Sequence, residues 1–265
     1  MSLQTLDHST LKIYSNAVVK FFSLTFSETE RNDMNQDAEI TTTSPWFRES
    51  RLGEIAKEDI ELIKRLGQMQ IYPKGSYVHF DGDFIEDFMY IDKGLARFFI
   101  SNEDGVEKTV YYTDRFVSIE CYFHRQPTHT NCIAEEEIVL YRVKREYEDV
   151  LMERKSIRDL VVQSLAVKCR INGWQVSDLT LAKPIQRIAR ILCCYYFDEK
   201  PDSHHKLLHQ EIADLTGLHR VTVTNYINDL RKMGIIEQTK HKTWIVKDRQ
   251  ALRDLAFEGD LMERY

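Results

Sequence analysis

The segment at residues 208–236 constrains the fold more than any other, because two helical periodicities meet there at one glycine. Residues 210–215 and 220–233 carry apolar side chains at three- and four-residue steps, with Thr216-Gly217-Leu218 between them. Gly217 can adopt the left-handed backbone conformation that a sharp turn requires. Ala213 is small where the two helices would cross closely. The pattern predicts a helix-turn-helix unit.

The second predicted helix has one apolar face and one polar face. Its apolar spacing predicts that Val221, Val223, Ile227 and Leu230 are buried. On the other face, Arg and Asn side chains and the methyl groups of Thr and Val can contact base edges in a major groove about 12 Å wide. The candidates for such base contacts are Arg220, Val221, Thr222, Thr224, Asn225 and Asn228.

A basic hairpin, the wing, is predicted directly after this helix at residues 237–246. The side chains suited to phosphates, which fix register without reading sequence, are His209, Gln210, His219, Lys240 and Lys242. The net charge is −6, yet residues 231–249 contain six basic and two acidic residues. Such a local patch favours a site-selective binder of double-stranded DNA. The alternatives are ordinary scatter of surface charge and a helical hairpin that binds no nucleic acid.

Residues 46–145 show a different pattern. A helix is predicted at residues 54–66, and runs rich in β-branched and aromatic residues follow at 76–80, 88–91, 96–100, 109–112 and 138–143. Turns such as Asp81-Gly82-Asp83 separate these runs. Short strands at regular intervals predict an antiparallel β jelly roll.

Residues 146–182 predict one long helix with Ser156 as its N-cap. Its apolar seam consists of Ile157, Leu160, Val161, Leu165, Lys168, Ile171, Gln175 and Leu179. A helix of roughly 37 Å is longer than a jelly roll can bury alone. We therefore expect the seam to contact a symmetric partner in a homodimer. The alternative is a helix packed only within its own chain.

The sequence thus divides into four regions of an α+β protein: an N-terminal extension (1–45), a jelly roll (46–145), a dimerisation helix (146–182) and a winged helix-turn-helix domain (183–265). No apolar run approaches the roughly 18–20 residues that cross a bilayer, and the N-terminus lacks the pattern of a secretory signal. We therefore expect a cytoplasmic protein without a membrane partner. Five widely spaced cysteines argue against a disulfide framework or a zinc ribbon. No metal site and no cofactor are predicted.

These motifs resemble those of the CRP/FNR family of bacterial transcription regulators over residues 46–255. The YPKG turn at 72–75, the segment 88–94, the turn at 104–105 and the helix-turn-helix follow the order of that family. The resemblance implies a cyclic-nucleotide-binding-like jelly roll that binds an effector, a dimerisation helix, and a winged helix-turn-helix on a palindromic promoter site. It further implies a regulator that contacts RNA polymerase and is not an enzyme.

Two departures from the family pattern argue against familiar effectors. The cAMP-binding members carry an F-G-E run and later an R-[AS]-A triplet, where this chain has FVSIE at 116–120 and THT at 128–130. The glycine amide and the arginine for a cyclic phosphate are both missing, so a cyclic nucleotide is not expected. Oxygen-sensing members hold an Fe–S cluster on N-terminal cysteines, and here no cysteine precedes Cys121.

The chain looks closest to the branch that regulates reductive dehalogenation. Its members read V-T-V-S-R in the recognition helix where classical members read E-T-V-[SG]-R, and this chain reads VTVTN at 221–225. Valine cannot accept a hydrogen bond from cytosine N4, so we predict an A·T-rich half-site, TTAAT-like rather than TTGAT-like. Asn225 in place of the usual arginine leaves one base of that half-site open.

That branch also carries a lysine on the dimerisation helix that contacts the phenolate of a chlorinated phenol, and Lys168 matches its position. A cation on an apolar seam needs a partner, and the alternatives to a ligand are a cross-dimer carboxylate or a side chain that points to solvent. The aromatic side chains expected around the ligand, with simple core packing as the alternative, are Phe84, Tyr90, Tyr111 and Phe116.

The sequence therefore predicts an effector-gated homodimeric activator whose effector is a small aromatic anion such as a halogenated phenol. One alternative is a redox-gated or constitutive regulator of the same fold that uses Cys121, Cys132 or Cys169. A remote alternative is a cupin-like metalloenzyme, which needs a His/Glu cluster on strands. His124 and His129 fall in a predicted loop instead. Whether the effector activates or represses is left open.

Overall fold

The computed structural model describes residues 52–196, 207–238 and 244–257, all within one compact unit. The predicted N-terminal extension and the turn of the predicted wing lie outside the described residues. In chain order the elements are α1 (Lys57–Leu66), β1 (Gly67–Tyr72), β2 (Tyr77–His79), β3 (Phe88–Lys93), β4 (Ala96–Ser101), β5 (Glu107–Thr113), α2 (Ile119–His124), β6 (Asn131–Ala134), β7 (Ile138–Val143), a 3₁₀ turn (Arg145–Tyr147), α3 (Glu148–Met152), α4 (Lys155–Leu181), α5 (Pro184–Tyr196), α6 (His209–Thr216), α7 (Arg220–Lys232), β8 (Ile236–Gln238), β9 (Trp244–Val246) and α8 (Arg249–Phe257).

The jelly roll consists of two antiparallel sheets around one core. One sheet has the order β1-β7-β3 and the other the order β2-β6-β4-β5. Strands alternate in burial as a half-buried sheet requires: in β5 the side chains of Thr109, Tyr111 and Thr113 are buried, while those between them are half-buried on the outer face. The core contains residues from both sheets, among them Phe88 and Phe98. The predicted α+β class and jelly roll are confirmed.

Two strands of this barrel were not predicted from the sequence. Strand β1 reads GQMQIY and leaves Met69 and Ile71 on its exposed side, so its alternation lacks the usual apolar-inward pattern. Strand β6 has only four residues, and its buried side chains, Cys132 and Ala134, are small. Both strands are specified by long-range pairing, β1 with β7 and β6 with β2 and β4. Local propensity is a weak guide where pairing partners decide.

Helix α4 packs its predicted seam against its own barrel. Ile157, Leu160, Val161 and Ile171 are buried in the same core as the strands. These seam residues are therefore covered by their own barrel, so the expectation that they contact a symmetric partner is wrong. Strand β5 and helices α2 and α3 together cover this face. An apolar periodicity shows that a helix face is buried but not which molecule buries it.

Ser156 has a different role from the predicted N-cap. The N-cap position of α4 is Arg154, and Ser156 lies in the first turn. Its hydroxyl donates to Asp59 Oδ2 at 2.6 Å and accepts a hydrogen bond from the Ala56 amide at 3.1 Å. The serine therefore ties the segment before α1 to the long helix. Among the described residues, no helix combines the length and the apolar character that a membrane span needs.

The C-terminal domain has its own core, formed by α5, α6, α7, α8 and the β8–β9 pair. Gly217 has a φ of 67°, the left-handed conformation predicted for the turn between α6 and α7. One burial prediction is wrong: Val221 is 71% exposed, because it lies on the outer face of α7. Helix α8 was not predicted, and its Leu252 and Ala256 complete the core against α5.

Strand β5 also supports the C-terminal domain on its outer face. Helix α6 packs along this strand, and Tyr112 joins the second core. Lys108 lies four residues before Tyr112 on the same face of β5 and packs against the turn between α6 and α7. A Cβ on Gly217 of that turn would stand 3.0 Å from Lys108 Cδ. The barrel therefore touches the turn between α6 and α7 directly.

The ammonium of Lys108 connects this junction to the long helix. It donates to Gln175 Oε1 on α4 and to the Thr109 carbonyl, both at 2.7 Å. Burial lowers the pKa of Lys108 to about 7; Asp178 opposes this shift and Arg187 adds to it. Barrel, long helix and helix-turn-helix thus meet at one lysine.

Candidate nucleic-acid interface and effector site

The first turns of α7 form an exposed polar face. Val223, Ile227 and Leu230 are buried underneath, and this spacing rotates the intervening side chains outward. On the outer face Arg220, Val221, Asn225 and Asn228 are exposed, and Thr222 and Thr224 are half-buried. The helix begins without an acidic residue in its first turn. The structure therefore gathers the six predicted base-contacting residues on one surface.

Thr224 belongs to this surface and also forms hydrogen bonds beneath it. Its hydroxyl donates to the Arg220 carbonyl at 2.9 Å. His209 Nδ1 on α6 lies 2.9 Å from the hydroxyl oxygen of Thr224. The His209 ring stacks on the indole of Trp244, with centroids 5.7 Å apart and an interplanar angle of 14°. One histidine therefore fixes α6, α7 and β9 relative to each other.

The other predicted phosphate-contacting residues are distributed around this surface. Gln210 is exposed on α6, where its amide donates to Asp214 Oδ1 at 2.8 Å. His219 is exposed at the N-cap position of α7. Lys240 and Lys242 lie outside the described residues. At the start of α6, Glu211 accepts a hydrogen bond from the Leu208 amide at 2.6 Å and thereby caps the helix.

Under the jelly roll, Lys168 of α4 belongs to a compact polar cluster with Glu120 and Tyr111. Its Nζ lies 2.9 Å from Glu120 Oε2 and 4.8 Å from the centroid of the Tyr111 ring. The Tyr111 hydroxyl donates to Glu120 Oε1 at 2.8 Å. Burial raises the pKa of Glu120, but the Lys168 charge and hydrogen bond outweigh it, and the net shift is downward.

The predicted aromatic residues of the effector pocket are only partly brought together. Tyr90, Tyr111 and Phe116 belong to the barrel core, and the Tyr90 and Phe116 rings lie 6.1 Å apart. Phe84 is 66% exposed and lies outside that core, where it forms a bridge to Pro127. Of this set, Tyr111 is the residue that contacts Lys168.

In the segments that correspond to the phosphate cassette of cAMP-binding members, Ser118 and Thr128 form hydrogen bonds within the protein. Ser118 is buried and has a φ of 48°, a conformation that favours glycine. Its hydroxyl lies 2.7 Å from Nε2 of the buried His79, and burial lowers the pKa of that histidine. The Thr128 hydroxyl lies 3.1 Å from the Thr130 hydroxyl.

Two protein families match the domains that carry these two sites. Residues 186–255 match the Crp-like helix-turn-helix domain, and residues 69–155 match the cyclic nucleotide-binding domain. The chain is a CRP/FNR-type DNA-binding regulator. In this regulator the sensory domain precedes the long helix and the helix-turn-helix, and α7 is the recognition helix.

Known proteins share the architecture of this regulator at low sequence identity. It is 26% identical to the global nitrogen regulator of Synechococcus elongatus over 180 residues, which cover 64% of this chain and 81% of that protein. A CooA mutant from Carboxydothermus hydrogenoformans superposes with a TM-score of 0.63 at 20% identity, over 79% of this chain and 99% of that one. CprK in complex with OCPA gives a TM-score of 0.58 at 20% identity, over 76% and 94%. Because CooA and CprK fit comparably, the fold does not single out the dehalogenation branch.

Several functional candidates were not found from the sequence. Glu120 and His79 contact Lys168 and Ser118 across gaps of 48 and 39 residues, which no local pattern encodes. A charged residue within the apolar run at 116–123 was the available signal for Glu120. Lys108 gave no signal, since a lysine on a hairpin strand is ordinarily a solvated surface residue.

Proposed function

We propose that this regulator is an effector-gated homodimer that binds a palindromic, A·T-rich promoter site, and that its effector is a small aromatic anion such as a halogenated phenol. The buried ammonium of Lys168 over the Tyr111 ring carries the proposal. A buried cation requires an anionic partner. An aromatic anion supplies the charge for Lys168 and a flat apolar face for Tyr111.

The effector takes the place of the Glu120 carboxylate as the anionic partner of Lys168. The Lys168 side chain is 5% exposed and that of Glu120 is 39% exposed. Glu120 can therefore turn to water when an anion arrives, whereas Lys168 cannot leave without opening the core. Two states result, one with the internal pair and one with the effector pair. The effector shifts their balance by the difference in its affinity for them.

Helix α4 transmits this exchange toward the DNA-binding domain. Gln175 follows Lys168 by seven residues, so it lies on the same face about two turns further along. Its side chain accepts the Lys108 hydrogen bond at the junction with the helix-turn-helix turn. A small movement of α4 at Lys168 therefore also moves Gln175 and with it Lys108, which packs against the turn between α6 and α7.

The homodimer forms through the exposed face of α4, opposite the seam that packs on the barrel. At alternating steps of four and three residues this face presents a stripe of small or apolar side chains, which we call the α4 stripe: Val162, Ala166, Cys169, Gly173, Val176 and Thr180. The spacing is that of a coiled-coil seam. Val162 and Val176 are 59% and 61% exposed. A second copy of α4 buries them, and the small residues allow the two helices to approach closely.

The dimer places two recognition helices on one face of the duplex. Successive major-groove half-sites are about 34 Å apart, so a twofold dimer reads a palindrome. Val221 is the most exposed apolar residue at the start of α7. It offers a methyl contact to thymine and no acceptor to cytosine, which supports the A·T-rich half-site. As a promoter-bound regulator it acts in the cytoplasm, and as an activator it contacts RNA polymerase.

A DNA-binding titration with and without ligand tests the proposal. Fluorescence anisotropy is followed with labelled palindromes of TTAAT and TTGAT half-sites, in the presence and absence of an ortho-chlorinated phenol. We expect the ligand to change the affinity for the TTAAT palindrome by at least about fivefold, because allosteric couplings are typically about 5–150-fold. Equal affinities with and without ligand would contradict the effector assignment. Preference for TTGAT would contradict the half-site.

The redox-gated alternative is supported by one cysteine. Cys169 is exposed on the α4 stripe, so two copies would meet at the twofold axis. Burial raises the pKa values of Cys121 and Cys132, which makes their thiolates scarce. DNA binding that responds to diamide and dithiothreitol, but to no phenol, would favour this alternative. The cupin-like enzyme is not proposed, because both matched families describe parts of a DNA-binding regulator.

A further inference from the structure

His209 lies at the edge of the proposed DNA-binding face. It is the first residue of α6, half-buried, and its Nδ1 side is turned toward Thr224 of the recognition helix. The amino end of a helix attracts phosphate through its free amides and its dipole. The proposed DNA-binding face therefore has an imidazole at its edge, at the amino end of α6.

The hydrogen bonds fix the neutral tautomer of this imidazole. Thr224 has one hydroxyl proton, which it donates to the Arg220 carbonyl, an acceptor that has no proton to offer in return. The remaining contact of the Thr224 oxygen must then accept a proton, so His209 donates from Nδ1–H. In neutral His209 the other nitrogen, Nε2, consequently carries a lone pair. A phosphate oxygen also has only lone pairs, so the two repel until Nε2 gains a proton.

The surroundings keep this histidine neutral before DNA arrives. Burial lowers the pKa of His209, and the positive charge of Arg220, which faces it from α7, lowers it further. The element β9 contributes the uncharged indole of Trp244. On α6 itself, the Glu211 carboxylate is held by the Leu208 amide. A phosphate close to Nε2 would reverse this balance, because an adjacent negative charge favours the imidazolium.

We propose that His209 contacts a DNA phosphate only as the imidazolium, so that each helix-turn-helix unit takes up a proton when it binds DNA. The inference rests on the proposed DNA-binding face and adds a chemical condition to it. Nδ1–H holds Thr224 and the recognition helix in place, and the new Nε2–H donates to the phosphate. DNA binding by this regulator is thereby stronger at lower pH.

The direction and size of the effect follow from linkage. On this proposal the pKa of His209 is higher in the DNA complex than in the free protein. The affinity for DNA therefore rises as the pH falls through the pKa of the complex, and it levels off below the pKa of the free protein. Each unit by which DNA raises this pKa gives about tenfold tighter binding per half-site. For two half-sites on a palindrome, a one-unit rise gives about 100-fold between the two plateaus.

Proton uptake is measured directly by calorimetry of DNA binding at pH 7 in two buffers of different ionisation enthalpy. We expect uptake by the wild-type protein, approaching one proton per half-site. His209→Gln places a neutral amide donor there, and its residual DNA binding should show neither the uptake nor the pH dependence. His124→Gln, the same change on an exposed barrel histidine, should retain both.

The outcomes separate this inference from the proposed function. Failure of the wild-type protein to bind any duplex overturns the DNA-binding face and the inference together. Tight binding without proton uptake, or uptake that survives His209→Gln, overturns the inference alone. A second readout needs no DNA: ¹⁵N NMR of the free protein should show Nδ1–H for His209, and an Nε2–H tautomer would contradict the geometry on which the proposal stands.

Discussion

Glu120 and Lys168 form an ion pair of 2.9 Å whose two members are unequally buried, with the lysine side chain 5% exposed and the glutamate side chain 39% exposed. The Tyr111 hydroxyl holds the other carboxylate oxygen. The cation is therefore fixed in the core while its partner has access to water. In the proposed effector site, Glu120 would therefore compete with any anion that binds Lys168.

Glu120→Gln should strengthen the binding of a halogenated phenolate, because the variant removes the competing charge and keeps the shape of the side chain. We expect about tenfold tighter binding, which corresponds to the loss of about 1.4 kcal/mol of competition. Lys168→Met should abolish binding. Isothermal titration calorimetry at a pH where the phenol is ionised measures both. Glu135→Gln, which removes a partner of Arg97 elsewhere on the barrel, is the matched control. Unchanged affinity in Lys168→Met would remove this cluster from the effector site.

Lys108→Met should flatten the dependence of stability on pH between pH 7 and pH 9. In the folded protein Lys108 has a pKa of about 7, and its ordinary value is 10.5. Between these values the unfolded chain binds more protons than the folded one, so the free energy of unfolding increases with pH. The wild-type increase should approach about 1 kcal/mol per pH unit. Urea unfolding at pH 7, 8 and 9 measures the slope, and an equal slope in Lys108→Met would contradict the assignment.

Gly173→Leu should break the proposed homodimer without unfolding the chain. Within the described residues a Cβ on Gly173 would meet no atom within 4 Å, so the isolated chain has room for leucine. In the dimer this side chain would stand between two helices that approach closely. Analytical ultracentrifugation should show a monomer. Gly173→Ala, which raises helix propensity by about 1 kcal/mol, should remain dimeric. A dimeric Gly173→Leu would place the dimer interface elsewhere.

Val221→Glu should move the preferred half-site toward a G·C pair. A carboxylate at this exposed position can accept from cytosine N4, a contact worth about 1–3 kcal/mol of discrimination. Selection from a randomised half-site library measures the preference. Lys232→Gln, at the other end of α7, should leave the preferred sequence unchanged. If Val221→Glu selects the same sequence as the wild type, Val221 does not face the bases.

The local sequence pattern was sufficient to predict an element and its bounds wherever the residues of that element specify it. The helix-turn-helix is the clearest case: Gly217 requires the left-handed turn, and the apolar steps place both helices within one or two residues of their observed ends. Strand β7 was predicted with its observed bounds, because its apolar alternation and flanking turns are local. The position of Val221 was misjudged, since an apolar residue on an amphipathic helix is ordinarily a core residue.

Long-range pairing decided what the sequence left open. The periodicity of α4 revealed an apolar seam, yet only the tertiary structure shows that the barrel covers it and that the α4 stripe is the exposed face. The same holds for Lys168, whose partner lies 48 residues away in the chain.

The sequence by itself therefore determined the class of fold and the DNA-binding motif, because periodicity and turn chemistry act over a few residues. The tertiary structure alone decided which side chains Lys168, Lys108 and His209 contact. Those contacts depend on how distant elements pack, and no interaction between sequence neighbours encodes them.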